Sequence, residues 1–411
     1  MELEGRRVLF ISYNGMLDPL GQTQVIPYLR GLAKRGVQFT LLSFERAVAF
    51  EGEGVRKRDE LRRELSGQAI EWHWLRYHQR PSVPATIYDV IAGIRKARSL
   101  VKRKQIEMVH ARSHIPATIA LALKRSLGTK MIFDLRGLMA EEYVDAQHWR
   151  KDSIAYRITK AAERRIFKET DAVVTLTERI WPIIKDWEGL RGRDVQHAVI
   201  PCCVDLSLFK FSEEDRTRRR SELGLGDRFT IVYSGSLDGW YLTEKMADFF
   251  ATFRRARPEA HLVWLTNGSH ERVKELMRSR NVPVDRFSVL SVPAPEVPSY
   301  LSASDAGLSF IKSCFSKIAS SPTKNAEYLA CGLPLIINSG IGDSDALIDD
   351  WNAGALLEDF TDTEYTQAQS FIEAMAAKPG TRQAARAIAE RLFDLQAVGV
   401  ERYAALYERV Y

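Results

Sequence analysis

Thr323, Lys324 and Glu327 stand three and four residues apart in the run SSPTKNAEYLACGLPLIIN, Ser320–Asn338. On a helix these spacings place them on one face. Ser321 suits the N-cap, and Pro322 suits a first turn where a missing N–H is harmless. Gly332 and Pro334 stop the helix, and Leu335-Ile336-Ile337 reads as a buried strand. A helix start offers free backbone N–H groups, here with an ammonium beside them and a carboxylate one turn on. That set suits a diphosphate at the helix start and sugar hydroxyls at the glutamate. The same residues also fit a surface helix carrying a Lys324–Glu327 ion pair.

The elements that must position this run alternate throughout the chain. Strands are expected at 7–12, 37–43, 69–76, 108–110, 130–134 and 172–176, then at 229–233, 260–265, 287–291, 306–310 and 335–338. Helices are expected at 22–35, 55–65, 85–104, 116–126 and 153–169, with a helical segment over 381–411. Strands alternating with helices predict doubly wound parallel sheets, whose ligands lie at the carboxyl ends of strands. Leu206–Glu222, polar and charged, is the expected linker. The expected domains are 1–205 and 206–390, with 391–411 as a tail helix returning to the first.

A length of 411 residues fits two domains. The net charge of +6, from 59 Lys and Arg against 53 Asp and Glu, suits an anionic small ligand or membrane surface. No pattern for nucleic-acid binding appears. Four cysteines, without zinc spacing, point to a reduced cytoplasmic protein. No stretch reads as a signal peptide or a transmembrane helix.

Several phrases together resemble family 4 glycosyltransferases. They are the loop GMLDPLGQTQVIPYLRGLAKRG, the phrase VIPCCVD followed by Phe209, YSGSLDGWY, LTNGS, Asp305, SPTKNAEYLACGLPLIIN and the terminal AVGVERYAALYERVY. The resemblance implies the α/β GT-B fold, two Rossmann-like domains facing across a cleft with a C-terminal helix crossing back. It implies a retaining hexosyltransferase using a UDP- or GDP-linked sugar. The acceptor would be a sugar, a glycan or a lipid-linked molecule, in polysaccharide or glycolipid assembly. No metal or other cofactor is implied, because lysines and a helix start serve the leaving diphosphate. Asp343-Ser344-Asp345 matches an Asp-x-Asp metal pattern, but after Gly340 and Gly342 it reads as turn chemistry. Two departures stand out. Ala319 occupies the place of the family's first glutamate, and Ser236 the place of a frequent arginine. Lys312, Lys317 and Lys324 are expected to carry the diphosphate charge instead.

Carried over by position, the donor side comprises Gly21, Gln22, Gly235, Asn267, Val292, Lys312, Lys317, Ser321, Thr323, Lys324, Asn325 and Glu327. The chemistry is expected at Lys324, Glu327, Asp134 and Arg136, with Arg136 where the family has a histidine and Asp134 as its buttress. His110, His114 and Glu141 are expected on the acceptor side. The plainer readings are a simple strand–helix turn at Gly21–Gln22, a structural ion pair at Asp134–Arg136 and core histidines. The basic helices 95–104 and 153–168 suggest peripheral contact with the inner face of an anionic membrane, or else only solvated cations. Two other functions stay open: a nucleotide-sugar epimerase of the same fold and a non-catalytic sugar-binding protein.

Overall fold

The computed structural model describes residues 3–411. The chain divides into two compact units, Met1–Pro201 with Leu395–Tyr411, and Cys202–Asp394. The first unit is built on seven strands: β1 (Arg7–Ser12), β2 (Gln38–Glu45), β3 (Ile70–Arg76), β4 (Met108–Arg112), β5 (Lys130–Asp134), β6 (Ala172–Thr175) and β7 (Gln196–Val199). They form one parallel sheet in the order β3-β2-β1-β4-β5-β6-β7. The second unit contributes β8 (Thr230–Ser234), β9 (His261–Leu265), β10 (Phe287–Leu290), β11 (Ala306–Ser309), β12 (Leu335–Asn338) and β13 (Gly354–Leu357), in the order β10-β9-β8-β11-β12-β13. The central strands of both sheets are buried and rich in Val, Ile, Leu and Phe, and so read as apolar stretches, whereas the edge strands β3, β7 and β10 are partly exposed.

In each sheet the strand order reverses once, between β1 and β4 and between β8 and β11. A doubly wound sheet opens a crevice there, at the carboxyl ends of its strands. The residues after β1, β4 and β5, and those after β8 and β11, are therefore the places where this architecture can hold a ligand.

Several expected elements take a different form. The helix expected over 22–35 is two helices, Pro19–Gln24 and Ile26–Ala33, broken at Val25. Pro27 has no N–H to donate and its ring crowds the carbonyl four residues back. Leu206–Glu222 is not a linker. Its second half is the helix Glu213–Glu222, docked within the second unit. Arg216 donates to the carbonyls of Ser302 and Ser304 and pairs with Asp305 at 2.8 Å, while Arg219 bonds Ser299 and Glu296. The arginines that made the segment look solvated are its anchors.

The units meet in sequence at Pro201–Cys202 and Asp394–Leu395, where 205 and 390 were expected. Cys202 already belongs to the second unit, its N–H donating to Ser321 Oγ at 3.1 Å, and Val204 donates to the Phe393 carbonyl. The final stretch is not one helix. Thr381–Phe393 is followed by a wide turn at Leu395–Val400 and a tail helix, Glu401–Val410, packed on β7 of the first unit.

Candidate active-site elements of the two units

In the second unit, the helix Thr323–Ala330 starts beside the reversal point of its sheet. Pro322 holds the N-cap position, and no side chain caps the helix. Ser321 does not cap it, because its hydroxyl is engaged by the Cys202 N–H. The first-turn N–H groups of any helix lack intrahelical partners, so this start keeps anion-binding capacity.

Lys324 is buried there. Its Nζ lies 4.3 Å from the Tyr233 ring centre, 3.7 Å from that of Tyr241, and 3.3 Å from the Tyr233 hydroxyl. Gly235 makes room for it. A Cβ on Gly235 would stand 2.8 Å from Nζ, at a φ of +149°. Burial pulls the ammonium down to about 7, with Glu327 opposing that fall. Glu327 lies one turn on and is partly exposed. Burial pushes its carboxyl up, against the pull of Lys324.

Lys317 is held in the same manner, its Nζ 3.8 Å from the Trp240 ring centre. Lys312 is tied to the same loop, its N–H donating to the Trp240 carbonyl at 2.8 Å. The consecutive aromatics Trp240 and Tyr241 thus each cover one lysine, and a short antiparallel pairing of residues 240–242 with 310–312 fixes them there. Trp240 and Tyr241 close the phrase YSGSLDGWY, and the motif by itself assigns neither a role. The signal was two adjacent aromatics just past a strand end.

Thr323 is half-buried at the helix start. Asn325 is buried and turned to Ser344, with its Oδ1 unsatisfied. Asn267 and Val292 follow β9 and β10 on the same sheet edge, the first exposed and the second packed against the apolar core. Ala319 is buried at the end of a short turn. The Asp345 carboxylate accepts from the Gly340 N–H, as turn chemistry requires. Among the described residues no group of three or more His, Cys, Asp or Glu is arranged to hold a metal.

In the first unit, Gly21 and Gln22 lie inside the six-residue helix Pro19–Gln24 rather than at its start. A Cβ on Gly21 would stand 2.3 Å from the Gly15 carbonyl, and Gln22 donates to the Met16 carbonyl at 2.6 Å. Both residues fold the loop on itself. Glu45 stands outside every motif of the sequence. Buried at the end of β2, it accepts from the Met16 N–H at 2.7 Å and from the Ser43 hydroxyl. Burial pushes its carboxyl up.

Asp134 ends β5, and Arg136 follows with Nη1 at 3.6 Å from Asp134 Oδ1. Burial opposes ionisation of Asp134, but Arg136, His110 and Arg112 outweigh it and hold the carboxyl down to about 2. His110 and His114 do not line an open surface. His110 sits mid-strand, fully buried, with Nδ1 2.6 Å from the Tyr407 hydroxyl and Nε2 3.4 Å from Asp134. His114 is buried against Glu163 at 3.1 Å. Glu141 is buried too, held by Lys160 at 3.0 Å and the Tyr156 hydroxyl at 3.3 Å. Lys160 also pairs with Glu163 and covers the Trp187 ring. These three expected acceptor-side residues therefore belong to internal networks under the strand ends.

Residues 21–208 match the family model described as Glycosyltransferase Family 4. The chain carries a family 4 glycosyltransferase domain. Among solved structures, HepE of Anabaena in complex with UDP and glucose is similar at 15% identity, with a TM-score of 0.69 and 97% of this chain and 99% of that chain covered. Sucrose-phosphate synthase of Thermosynechococcus elongatus is similar at 16% identity, TM-score 0.72, covering 98% and 99%. WaaG, a glycosyltransferase involved in lipopolysaccharide biosynthesis, is similar at 14% identity, TM-score 0.69, covering 97% and 99%. At such identities the likeness shows the fold, which is GT-B. No curated protein matches.

The buried Lys324 makes a testable statement about stability. Its folded pKa of about 7 lies below the ordinary lysine value near ~10.4. Between those two values the unfolded chain binds more protons, so this group's contribution favours folding increasingly as pH rises. We expect the melting temperature of the wild type to gain on that of Lys324→Met as pH is raised from 7 towards 10. Parallel profiles of the two proteins would count against a buried, depressed Lys324.

Proposed function

We propose that this glycosyltransferase moves a hexose from a UDP- or GDP-linked donor to a glycan or lipid-linked acceptor, with retention and without a metal. The observation that carries the reading is the helix start at Thr323 with Lys324 buried between Tyr233 and Tyr241. A buried ammonium beside first-turn N–H groups stabilises charge that grows on a leaving diphosphate, which is the work a divalent ion does elsewhere. Lys317 and Lys312, gripped by the same loop, supply further positive charge where Ser236 and Ala319 depart from the family pattern. The UDP and UDP-glucose complexes of HepE support a nucleotide-sugar donor.

Glu327 accepts hydroxyls of the nucleotide ribose. Arg136, buttressed by Asp134, contacts the transferred sugar. The bond from the anomeric carbon to the diphosphate oxygen breaks, and its electron pair leaves with the nucleotide. The acceptor oxygen bonds to the same face of that carbon and gives its proton to the departing phosphate. No separate protein base is then needed, and the buried His110 and His114 are consistent with its absence from the scheme.

The acceptor reading extends to a membrane. The outward stripe of the helix Ser82–Lys104 is Val83, Ile87, Tyr88 and Ile91, continued by Arg95 and Arg98, all exposed. Its one acid, Asp89, is buried on Tyr13 and His78. On the helix Ile154–Glu169, Ile166 packs inward while Ile154 and Ile158 are exposed, so its isoleucines divide between core and surface. The helix His114–Leu127 packs against both, placing the three in one layer. Apolar side chains next to unopposed cations suit an anionic lipid surface. No helix among the described residues is long and apolar enough to cross a membrane.

Two experiments test this. A panel of UDP- and GDP-hexoses, with product configuration read by NMR, should give a product that keeps the donor's anomeric configuration. Lys324→Met should lower kcat by about 100-fold or more and raise donor KM. An inverted product, or an epimerised nucleotide sugar formed without acceptor, contradicts the reading. In flotation with vesicles containing phosphatidylglycerol, the wild type should rise with the lipid. The double variant Ile87→Asp and Ile91→Asp should stay below. Equal recovery of both proteins, or none of the wild type, removes the membrane from the proposal.

A further inference from the structure

We propose that Tyr403 and Tyr407 of the tail helix are positioning residues for transfer, setting the Asp134–Arg136 loop through a buried relay that includes His110. The proposal rests on the reading of Arg136 as a contact to the transferred sugar.

The relay is continuous. The Tyr403 hydroxyl lies 3.0 Å from Asp134 Oδ2. His110 Nε2 lies 3.4 Å from the same oxygen, and its Nδ1 lies 2.6 Å from the Tyr407 hydroxyl. Asp134, His110, Tyr403 and Tyr407 are all buried. The direction of each bond follows from the charges. Asp134 is ionised and can only accept. Burial keeps His110 neutral, so its one N–H sits on Nε2, facing the carboxylate, and its Nδ1 accepts from Tyr407. The Tyr403 hydroxyl donates to Oδ2 as well. Two donors therefore hold Oδ2, while Oδ1 has no hydrogen bond and is left to Arg136 at 3.6 Å.

Ring packing fixes the donors. His110 lies 4.5 Å from the Phe10 ring and 5.3 Å from that of Tyr403, and Tyr403 meets Tyr28 edge-on at 5.6 Å. The tail helix is held at its flanks, where Arg402 and Arg409 donate to the carbonyls of Val199 and His197. A carboxylate pinned on one oxygen can turn the other in only one direction. The tail thus fixes where the Arg136 guanidinium rests, and a misplaced positive group loses rate more than affinity.

Tyr403→Phe keeps the ring and removes one donor. Tyr411→Phe is the control. Its hydroxyl, on the residue after the same helix, donates to the Arg7 carbonyl outside the relay. The assay is nucleotide release from whichever UDP- or GDP-hexose of the panel above the wild type turns over fastest. We expect Tyr403→Phe to lower kcat by about tenfold with donor KM within about twofold. Tyr411→Phe should be unchanged. In an Arg136→Ala background, Tyr403→Phe should have no further effect, a non-additivity that a purely structural role would not produce. If Tyr403→Phe does not fold, Tyr407→Phe provides the same cycle with the tautomer of His110 as the element disturbed. Wild-type kcat in Tyr403→Phe, or full additivity with a damaging Arg136→Ala, overturns the tail's role alone. Wild-type kcat in Arg136→Ala overturns the reading of Arg136 and this proposal with it.

Discussion

A buried ammonium with phenol rings for walls is the constraint on which the second unit turns. Lys324 has Tyr233 and Tyr241 against it, and Glu327, one turn on, only partly offsets the cost of burying its charge. Water would solvate that charge far better than aromatic faces do. Nearby features follow from keeping it there. Gly235 must lack a side chain, the loop 238–241 must present two aromatics in succession, and the helix must begin just where its first-turn N–H groups add to the positive field. A bound diphosphate would relieve the arrangement, because it would give the ammonium a full counter-charge.

The first unit solves the opposite problem. It buries carboxylates at two strand ends, Glu45 and Asp134, and on two helices, Glu141 and Glu163. Most of their oxygens find a donor. Glu45 holds the loop after β1, Glu163 holds His114 and Lys160, and Asp134 is held by the tail. Satisfied networks of this kind are stiff, and stiffness at strand ends keeps loops in one conformation.

Much of this was legible in the chain. Parallel sheets buried on both faces write long apolar runs into the sequence, and β5 and β12 appear within the limits expected of them. The helix carrying Lys324 and Glu327 was legible because Gly332 and Pro334 mark its end. What escaped was set by tertiary contact. β13 is four residues led by Gly354, too short to show a period. The helix Glu213–Glu222 looked solvated because its arginines find their partners, Asp305 and carbonyls after residue 300, far along the chain. His110 resembled a ligand-facing histidine until Tyr403 and Tyr407, almost three hundred residues later, closed over it. Spacing records what a local turn can bring together, and these pairs lie beyond its reach.

Lys324 and its helix start are proposed to hold a diphosphate. Calorimetric titration of UDP and GDP at pH 8, in two buffers of different ionisation enthalpy, tests it most directly. Lys324 is then largely neutral in the empty protein, since burial holds it at about 7. Binding a diphosphate should draw up to about one proton from the buffer. That uptake is expected in the wild type and should be lost, with much of the affinity, in Lys324→Met. Binding of either nucleotide without proton exchange, or equally tight binding by Lys324→Met, would contradict it.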